Sequence, residues 1–154
     1  MAEGRIEISV ESEALTSALG RMAARALSLR QPMQEIGASL VASTQQRFED
    51  KKSPEGDPWV GASPVYALRK TKRGRKAASD LLRAEGYLLD TLNYLASDTN
   101  VAVGTNRTYS AIHQLGGTLG MAPGPAAIPA RPHLGISRAD EAEIAATLVQ
   151  HLDD

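Results

Sequence analysis

The stretch Val103–Ile136, VGTNRTYSAIHQLGGTLGMAPGPAAIPARPHLGI, decides how the rest of the chain is read. A short apolar run ends at Val103-Gly104. A compact helical segment follows from Tyr109 to Leu115 and is closed by Gly116-Gly117. Next comes a loop rich in Gly and Pro, and then Ile128-Pro129-Ala130-Arg131-Pro132-His133-Leu134. Gly and Pro punctuate a chain rather than build its elements. Two such breaks around one short helix outline a shaped surface, fixed on both sides, with a long mobile arm between. The stretch holds no cysteine, no acidic residue and no metal-ligand spacing, which points to recognition by shape.

Working outward, Pro129 and Pro132 restrict the backbone around Arg131 to an extended or edge-strand conformation. Upstream, Leu92–Ala96 and Val101–Val103 read as two strands joined across Ser97-Asp98-Thr99-Asn100, where Asp and Asn suit a tight turn. Downstream, a final helix begins at Ser137. Ser137 and Asp140 form a capping-box-like pair, with Asp where Glu is usual. Asp140, Glu141 and Glu143 in its first turns complement the helix dipole, and Ile144, Leu148 and Leu152 give its apolar stripe.

At the N-terminal end, Ile6, Ile8 and Val10 alternate with polar residues as in a short half-buried strand. Leu15, Leu19, Met22, Ala26 and Leu29 then recur at helical spacing through Arg30. Pro32 breaks this helix or starts the next, whose apolar face is Met33, Ile36, Leu40, Val41, Thr44 and Phe48. Both stripes read as core packing. Residues 50–64 contain three prolines and two glycines and form a loop around Trp59, the only tryptophan. Trp59 either plugs this loop onto the body of the fold or offers an anchor to a partner. A short helix at Val65–Lys70 leads into the basic run, and helical character resumes from Ser79 to Leu89, interrupted at Gly86.

These elements imply one α+β domain over residues 1–154. A small antiparallel sheet packs against two long N-terminal helices and a C-terminal helix, with long mobile loops near 50–64, 69–80 and 116–128. Apolar residues make up 42% of the chain and aromatics 4%, so the core must rest mainly on aliphatic side chains of modest area. A net charge of −1 gives no global attraction to DNA or membrane. With no cysteine there is no disulfide framework and no thiolate metal site. No apolar stretch approaches the ~20 residues that cross a bilayer, and no signal peptide is evident. The expectation is a soluble cytoplasmic protein without a membrane partner.

Charge is uneven all the same. Six of the eight residues from 69 to 76 are basic: Arg69, Lys70, Lys72, Arg73, Arg75 and Lys76. Such a block is a solvated loop, a contact for nucleic-acid phosphate, or a contact for an acidic protein surface. No aromatic residue interleaves with it, so the stacking of a single-strand binder is missing.

Catalytic signatures are lacking. His113, His133 and His151 fit no helical zinc pattern. There is no G-x-S-x-G elbow, phosphate loop or dinucleotide turn, and the acidic residues are dispersed. The chain reads as no enzyme with no cofactor. A hydrolase with a triad assembled from distant residues stays open, and it would depend on His113 or His133.

The order of several short motifs carries a resemblance. They are Pro54-Glu55-Gly56-Asp57-Pro58-Trp59, the basic run, Leu82 with Gly86 and Leu88, Val103-Gly104-Thr105, Tyr109-Ser110-Ala111-Ile112-His113-Gln114-Leu115-Gly116-Gly117, and Ile128-Pro129-Ala130-Arg131-Pro132 with His133-Leu134-Gly135. Across roughly residues 33–150 this order resembles the phage virion morphogenesis family of Mu-like phages and prophages, which is related to phage tail completion proteins. Tyr87 departs from the small or polar residue expected after the glycine, and His133 stands where an aromatic residue is expected.

The resemblance implies structural work at the tail or neck of a phage. The protein would complete the tail or join it to the filled head, acting as a ring, hexameric to match tail symmetry, with other neck or tail proteins as partners. It would be made in the host cytoplasm and then carried in the virion. On this reading Tyr109–Gly117 and Ile128–Leu134 pack together and set the 116–128 loop at an interface. The candidate interface residues are Trp59, Tyr109, His113, Gln114, Arg131 and His133. The 69–76 loop would face packaged DNA or an acidic ring. The runner-up is a small prophage nucleic-acid-binding module using that loop.

Overall fold

A computed structural model of the chain describes residues 13–62, 68, 81–82, 87–117 and 128–153. The expected strand at Ile6–Val10, the whole basic run, Gly86 and residues 118–127 lie outside the described residues. The fold is α+β. In chain order the elements are α1 (Glu13–Ala26), α2 (Arg30–Asp50), α3 (Tyr87–Asp90), β1 (Leu92–Ala96), β2 (Val101–Thr105), α4 (Ser110–Leu115) and α5 (Arg138–Asp153).

The centre of the molecule is α2. The hairpin β1–β2 lies against it, α5 packs on it, and α1 reaches the body through α5. Pro32 decides where α1 and α2 separate. Proline has no N–H to offer the carbonyl of Ser28, so one helix cannot run through both, and α1 stops at Ala26 rather than continuing to Arg30. Pro32 instead occupies the first turn of α2, where backbone N–H groups have no intrahelical acceptor. The Met33 N–H then donates to the Leu29 carbonyl at 3.0 Å.

The hairpin pairs Leu92 with Thr105 through Ala96 with Val101, so β2 runs two residues beyond the expected end at Val103. Its turn is held by Ser97, whose Oγ accepts from the N–H groups of Thr99 and Asn100. Thr91 and Thr105 share a hydroxyl–hydroxyl hydrogen bond of 2.7 Å that closes the open end.

Phe48, Trp59, Leu88 and Leu92 form the core, with Val41, Leu81, Leu82, Leu89 and Leu134 packed against it. Each large apolar side chain removed from water contributes about 1.5–3 kcal/mol. Trp59 plugs its loop onto this core. Its ring meets Phe48 edge to face at 5.4 Å, and its indole N–H donates to the Pro132 carbonyl at 2.8 Å. Below it the loop is ordered by its own backbone: Ser53 N–H donates to Asp57 O and Trp59 N–H to Lys51 O.

Two expectations need correction. First, α1 carries its apolar stripe as expected, but none of its residues is buried and it does not share the core. It touches α5, where Arg25 and His151 exchange side-chain-to-backbone hydrogen bonds of 3.4 and 3.3 Å. The sheet therefore packs on one N-terminal helix, not two. Second, the stretch around Arg131 joins no strand ladder. Its polar backbone groups find partners on α4, on Trp59 and on Arg47 of α2 instead.

The sheet can lie close to α2 because residue 37 has no side chain. A Cβ at Gly37 would run into the ring of Tyr94. Gly37→Ala should lower stability by about 1–2 kcal/mol, because overpacking against the ring outweighs the gain in helix propensity. Chemical denaturation of the purified protein checks this. A stabilised variant would mean that the helix and sheet are not in contact there.

Candidate functional site

The site forms where α2, α4, the Trp59 loop and residues 128–135 converge. Its backbone problem comes first. Pro129 and Pro132 have no N–H to give, so the backbone of 128–135 cannot form a continuous ladder, yet Arg131 and His133 are buried. Gln114 solves part of this. Its Oε1 accepts from the N–H groups of His133 and Leu134 at 2.9 and 3.0 Å, and its Nε2 donates to the Leu134 carbonyl at 2.9 Å. One side-chain amide thus stands in for a neighbouring strand. The main chain adds Arg131 N–H to His113 O at 2.7 Å and Gly117 N–H to Ile128 O at 2.8 Å. So Tyr109–Gly117 and Ile128–Leu134 are held together as one unit.

Two arginines fasten this unit to the rest. Arg131 donates from Nε to Val60 O at 2.8 Å and from Nη2 to Gly61 O at 3.1 Å, tying it to the Trp59 loop. Arg47, buried on α2, donates from Nη1 to the carbonyls of His133 and Gly135 at 3.1 and 2.8 Å. Its Nη2 meets Ser43 Oγ and the carboxylate of Asp140. Asp140 in turn accepts from the Ser137 N–H at 2.7 Å, while Asp140 N–H donates to Ser137 Oγ at 3.1 Å. The expected capping box is therefore present, and its carboxylate also balances the Arg47 charge. Gly135 has a φ of 151°, and a Cβ there would come within 2.6 Å of Pro54.

His133 is fully enclosed and lies 5.4 Å from the Phe48 ring. Its Nδ1 is 3.2 Å from the Arg131 carbonyl, which can only accept, so Nδ1 carries the proton. Nε2 then accepts from the Ser110 hydroxyl at 3.1 Å. A serine–histidine–carbonyl series has the bonding order of an activated nucleophile. Here the imidazole is sealed against Phe48 and Ser110 is buried, so the series satisfies polar groups inside the core.

Burial pushes the His133 imidazole below the ordinary histidine range. The Arg131 carbonyl pushes back, and the His113 and Arg47 charges reinforce the fall. His113 is lowered too, by burial and by the Arg131 charge. At Asp140 burial alone would raise the carboxyl, but hydrogen bonds from Ser43 and Ser137 and the Arg47 charge overcome it and hold it low.

Of the six residues singled out in the sequence, Trp59, Arg131 and His133 are buried and His113 and Gln114 half-buried. Tyr109 is exposed, its ring edge-on to His113 at 6.1 Å. The side chains of Trp59, Gln114, Arg131 and His133 hydrogen-bond within the fold, and His113 takes part through its carbonyl. The six basic candidates, Arg69, Lys70, Lys72, Arg73, Arg75 and Lys76, lie outside the described residues. Arg47, Ser110 and Asp140 were not singled out as site residues. Arg47 could have been found from its spacing: with Leu40, Thr44 and Phe48 it falls on the apolar stripe of α2, where a charge needs a partner.

Beside this unit, the end of β2 and α4 border an open groove of about 510 Å3 lined by Thr105, Arg107, Ser110, Gln114, Leu115 and Leu134, among others. Among the described residues no cluster of His, Cys, Asp and Glu is placed to hold a metal, and no helix is long and apolar enough to cross a membrane.

The model of the phage virion morphogenesis family matches residues 10–153. The chain is 34% identical over 110 residues to the putative capsid assembly protein G of Escherichia phage Mu, covering 71% of this chain and 70% of that protein. It is 35% identical over 147 residues to the Mu-like prophage FluMu G protein 2 of Haemophilus influenzae, covering 90% of each. A second protein of that prophage, G protein 1, is 24% identical over 131 residues, covering 85% of this chain and 84% of its own length. No solved structure matches. The chain belongs to the phage virion morphogenesis family, as its motif order implied.

The histidine geometry makes a pH prediction. A histidine kept neutral by the fold binds fewer protons folded than unfolded. Its share of stability is complete above the unfolded value of about 6.5 and is lost as pH falls through the lower folded value. Asp140 has the same sign further down, losing its share as pH falls below about 4. Denaturation midpoints should therefore decline from about pH 7 to 5. The double variant Ser110→Ala/His133→Phe should flatten that decline, and an unchanged slope would remove His133 from the account.

Proposed function

We propose that this member of the phage virion morphogenesis family is a structural subunit that completes the tail or joins it to the filled head, working as a ring. One observation carries the reading. Trp59, Gln114, Arg131 and His133 hydrogen-bond within the fold, while large apolar side chains remain outside: Leu19, Leu27, Leu95, Leu115 and Val149 are all exposed. Exposed apolar surface on a rigid scaffold suits docking onto other subunits. Ring closure, hexameric to match a tail, follows if one face of a copy meets a different face of the next. Nothing in this role requires a reaction, and the protein acts in the infected host cell and then in the particle.

The relative from phage Mu is described as a putative capsid assembly protein, which places head formation beside tail completion as a reading for this chain. A third reading rests on the six basic residues between 69 and 76, which suit a nucleic-acid contact. About six phosphate contacts would make binding fall by orders of magnitude between low and moderate salt, whereas a neck subunit alone would bind little at any salt.

The deciding experiment is electron microscopy of lysates from a phage whose copy of this gene carries an early stop codon. Filled heads lying beside finished tails are the expected outcome. Tails of abnormal length would shift the role to termination of tail growth, and missing or misshapen heads to capsid assembly. Normal joined virions would sink all three structural roles and favour the nucleic-acid reading.

A further inference from the structure

The hairpin has two edges, and they are not alike. Ser97 N–H donates to Asn100 O at 2.8 Å, and antiparallel pairs alternate between bonded and non-bonded. With Ala96 opposite Val101 and Leu92 opposite Thr105, the bonded pairs are Leu95 with Ala102 and Asn93 with Gly104. Leu92, Tyr94 and Ala96 therefore turn their backbone groups outward from β1, and Val101, Val103 and Thr105 turn theirs outward from β2. On β1 the central outward N–H is taken, because Tyr94 N–H donates to Asn93 Oδ1 at 2.8 Å. On β2, among the described residues, nothing bonds the outward groups of Val101 and Val103. An open edge is a template for another strand, and two strands alone make a marginal sheet that a third strengthens.

The chain has one more segment with a strand pattern, Ile6–Val10, whose apolar residues alternate with Glu7 and Ser9. It spans five residues, as β2 does. Its two faces suit the two faces of the hairpin. Leu92 is buried and Tyr94 lies over Gly37, so Thr105 and Val103 opposite them face α2, and Val101 does too. Val101 and Val103 are only half-buried there. Beside β2, Ile6, Ile8 and Val10 would extend that apolar face. Glu7 and Ser9 would join the other face, where Asn93, Leu95 and Ala102 are exposed.

Attachment decides which copy the segment reaches. Only Glu11 and Ser12 separate Val10 from α1, so the segment stays within about 10 Å of the start of that helix. The helix is about 20 Å long, buries none of its residues and packs on α5, whereas the hairpin packs on α2. Arg25 and His151 tie it to α5 at the end remote from the segment.

We infer that residues 6–10 of one copy add as a third strand to the β2 edge of the next copy. Strand addition to an open edge is a recurrent recognition mode. The inference rests on the ring reading and names its contact. Giving a strand to one neighbour and taking one from another is a heterologous contact, so it passes from copy to copy and closes when the rotation allows.

The native chain has no cysteine, so engineered thiols report cleanly. The full-length double variant Ser9→Cys/Ala102→Cys, treated with a short bismaleimide as concentrated purified protein and in assembled particles, should give a ladder of linked multimers. Each single variant should give none. Linkage confined to the monomer would place the strand on its own hairpin and overturn the inference. Dimers from Ala102→Cys alone would pair β2 with β2 and overturn it as well, as would no linkage in both preparations. As a second measurement, Ile8→Asp should abolish the ladder and the assembled particles, with the circular dichroism and thermal midpoint of the dilute protein unchanged. A lowered midpoint would mean that the segment packs within its own chain, against the inference. Normal particles with Ile8→Asp would sink the strand contact and leave the structural role standing. Normal particles without the protein would sink the role itself.

Discussion

Arg47 and Asp140 form the contact on which the other parts of the site depend. The guanidinium reaches the carbonyls of His133 and Gly135, the hydroxyl of Ser43 and the carboxylate of Asp140 from a buried position on α2. One side chain therefore joins the central helix, the proline-bracketed segment and the start of α5. A buried ion pair contributes little by its charges alone, since desolvation offsets their attraction. Its value lies in direction. The fork of N–H groups matches acceptors from three elements at fixed angles, and loss of one partner leaves a buried charge, at a cost of about 3–5 kcal/mol. Such an arrangement tolerates few alternative packings of those elements.

The second constraint is the backbone of residues 128–135. Prolines make it extended but deny it a ladder, and burial denies it water. The Gln114 amide, the His113 carbonyl, the Trp59 indole and the Arg47 guanidinium supply what a neighbouring strand would have supplied. The Ser110 hydroxyl then satisfies the His133 imidazole. Gln114, Arg131 and His133 are thus fastened to one another and to neighbouring loops by hydrogen bonds within the fold. Large apolar side chains that the fold leaves outside stand on α1, at Leu95 and at Leu115.

Much of this was legible in the chain itself. Local signals read correctly: Pro32 between two helices, the turn at Ser97–Asn100 with its hairpin, the short helix closed by Gly116-Gly117, and the Ser137–Asp140 cap. Each depends on neighbours within a few residues, so local chemistry along the chain sets it. The order of motifs determined the family for the same kind of reason, since order along the chain is a property of sequence alone. Tertiary structure decided the rest. Periodicity shows that α1 has an apolar face, but whether the face is covered depends on where α2 and α5 leave room. Two prolines force an extended backbone, but whether it pairs as a strand depends on which distant groups arrive beside it. Arg47 lies on an apolar stripe in the sequence. Only the fold brings Asp140 and two carbonyls, more than eighty residues away, to meet its charge.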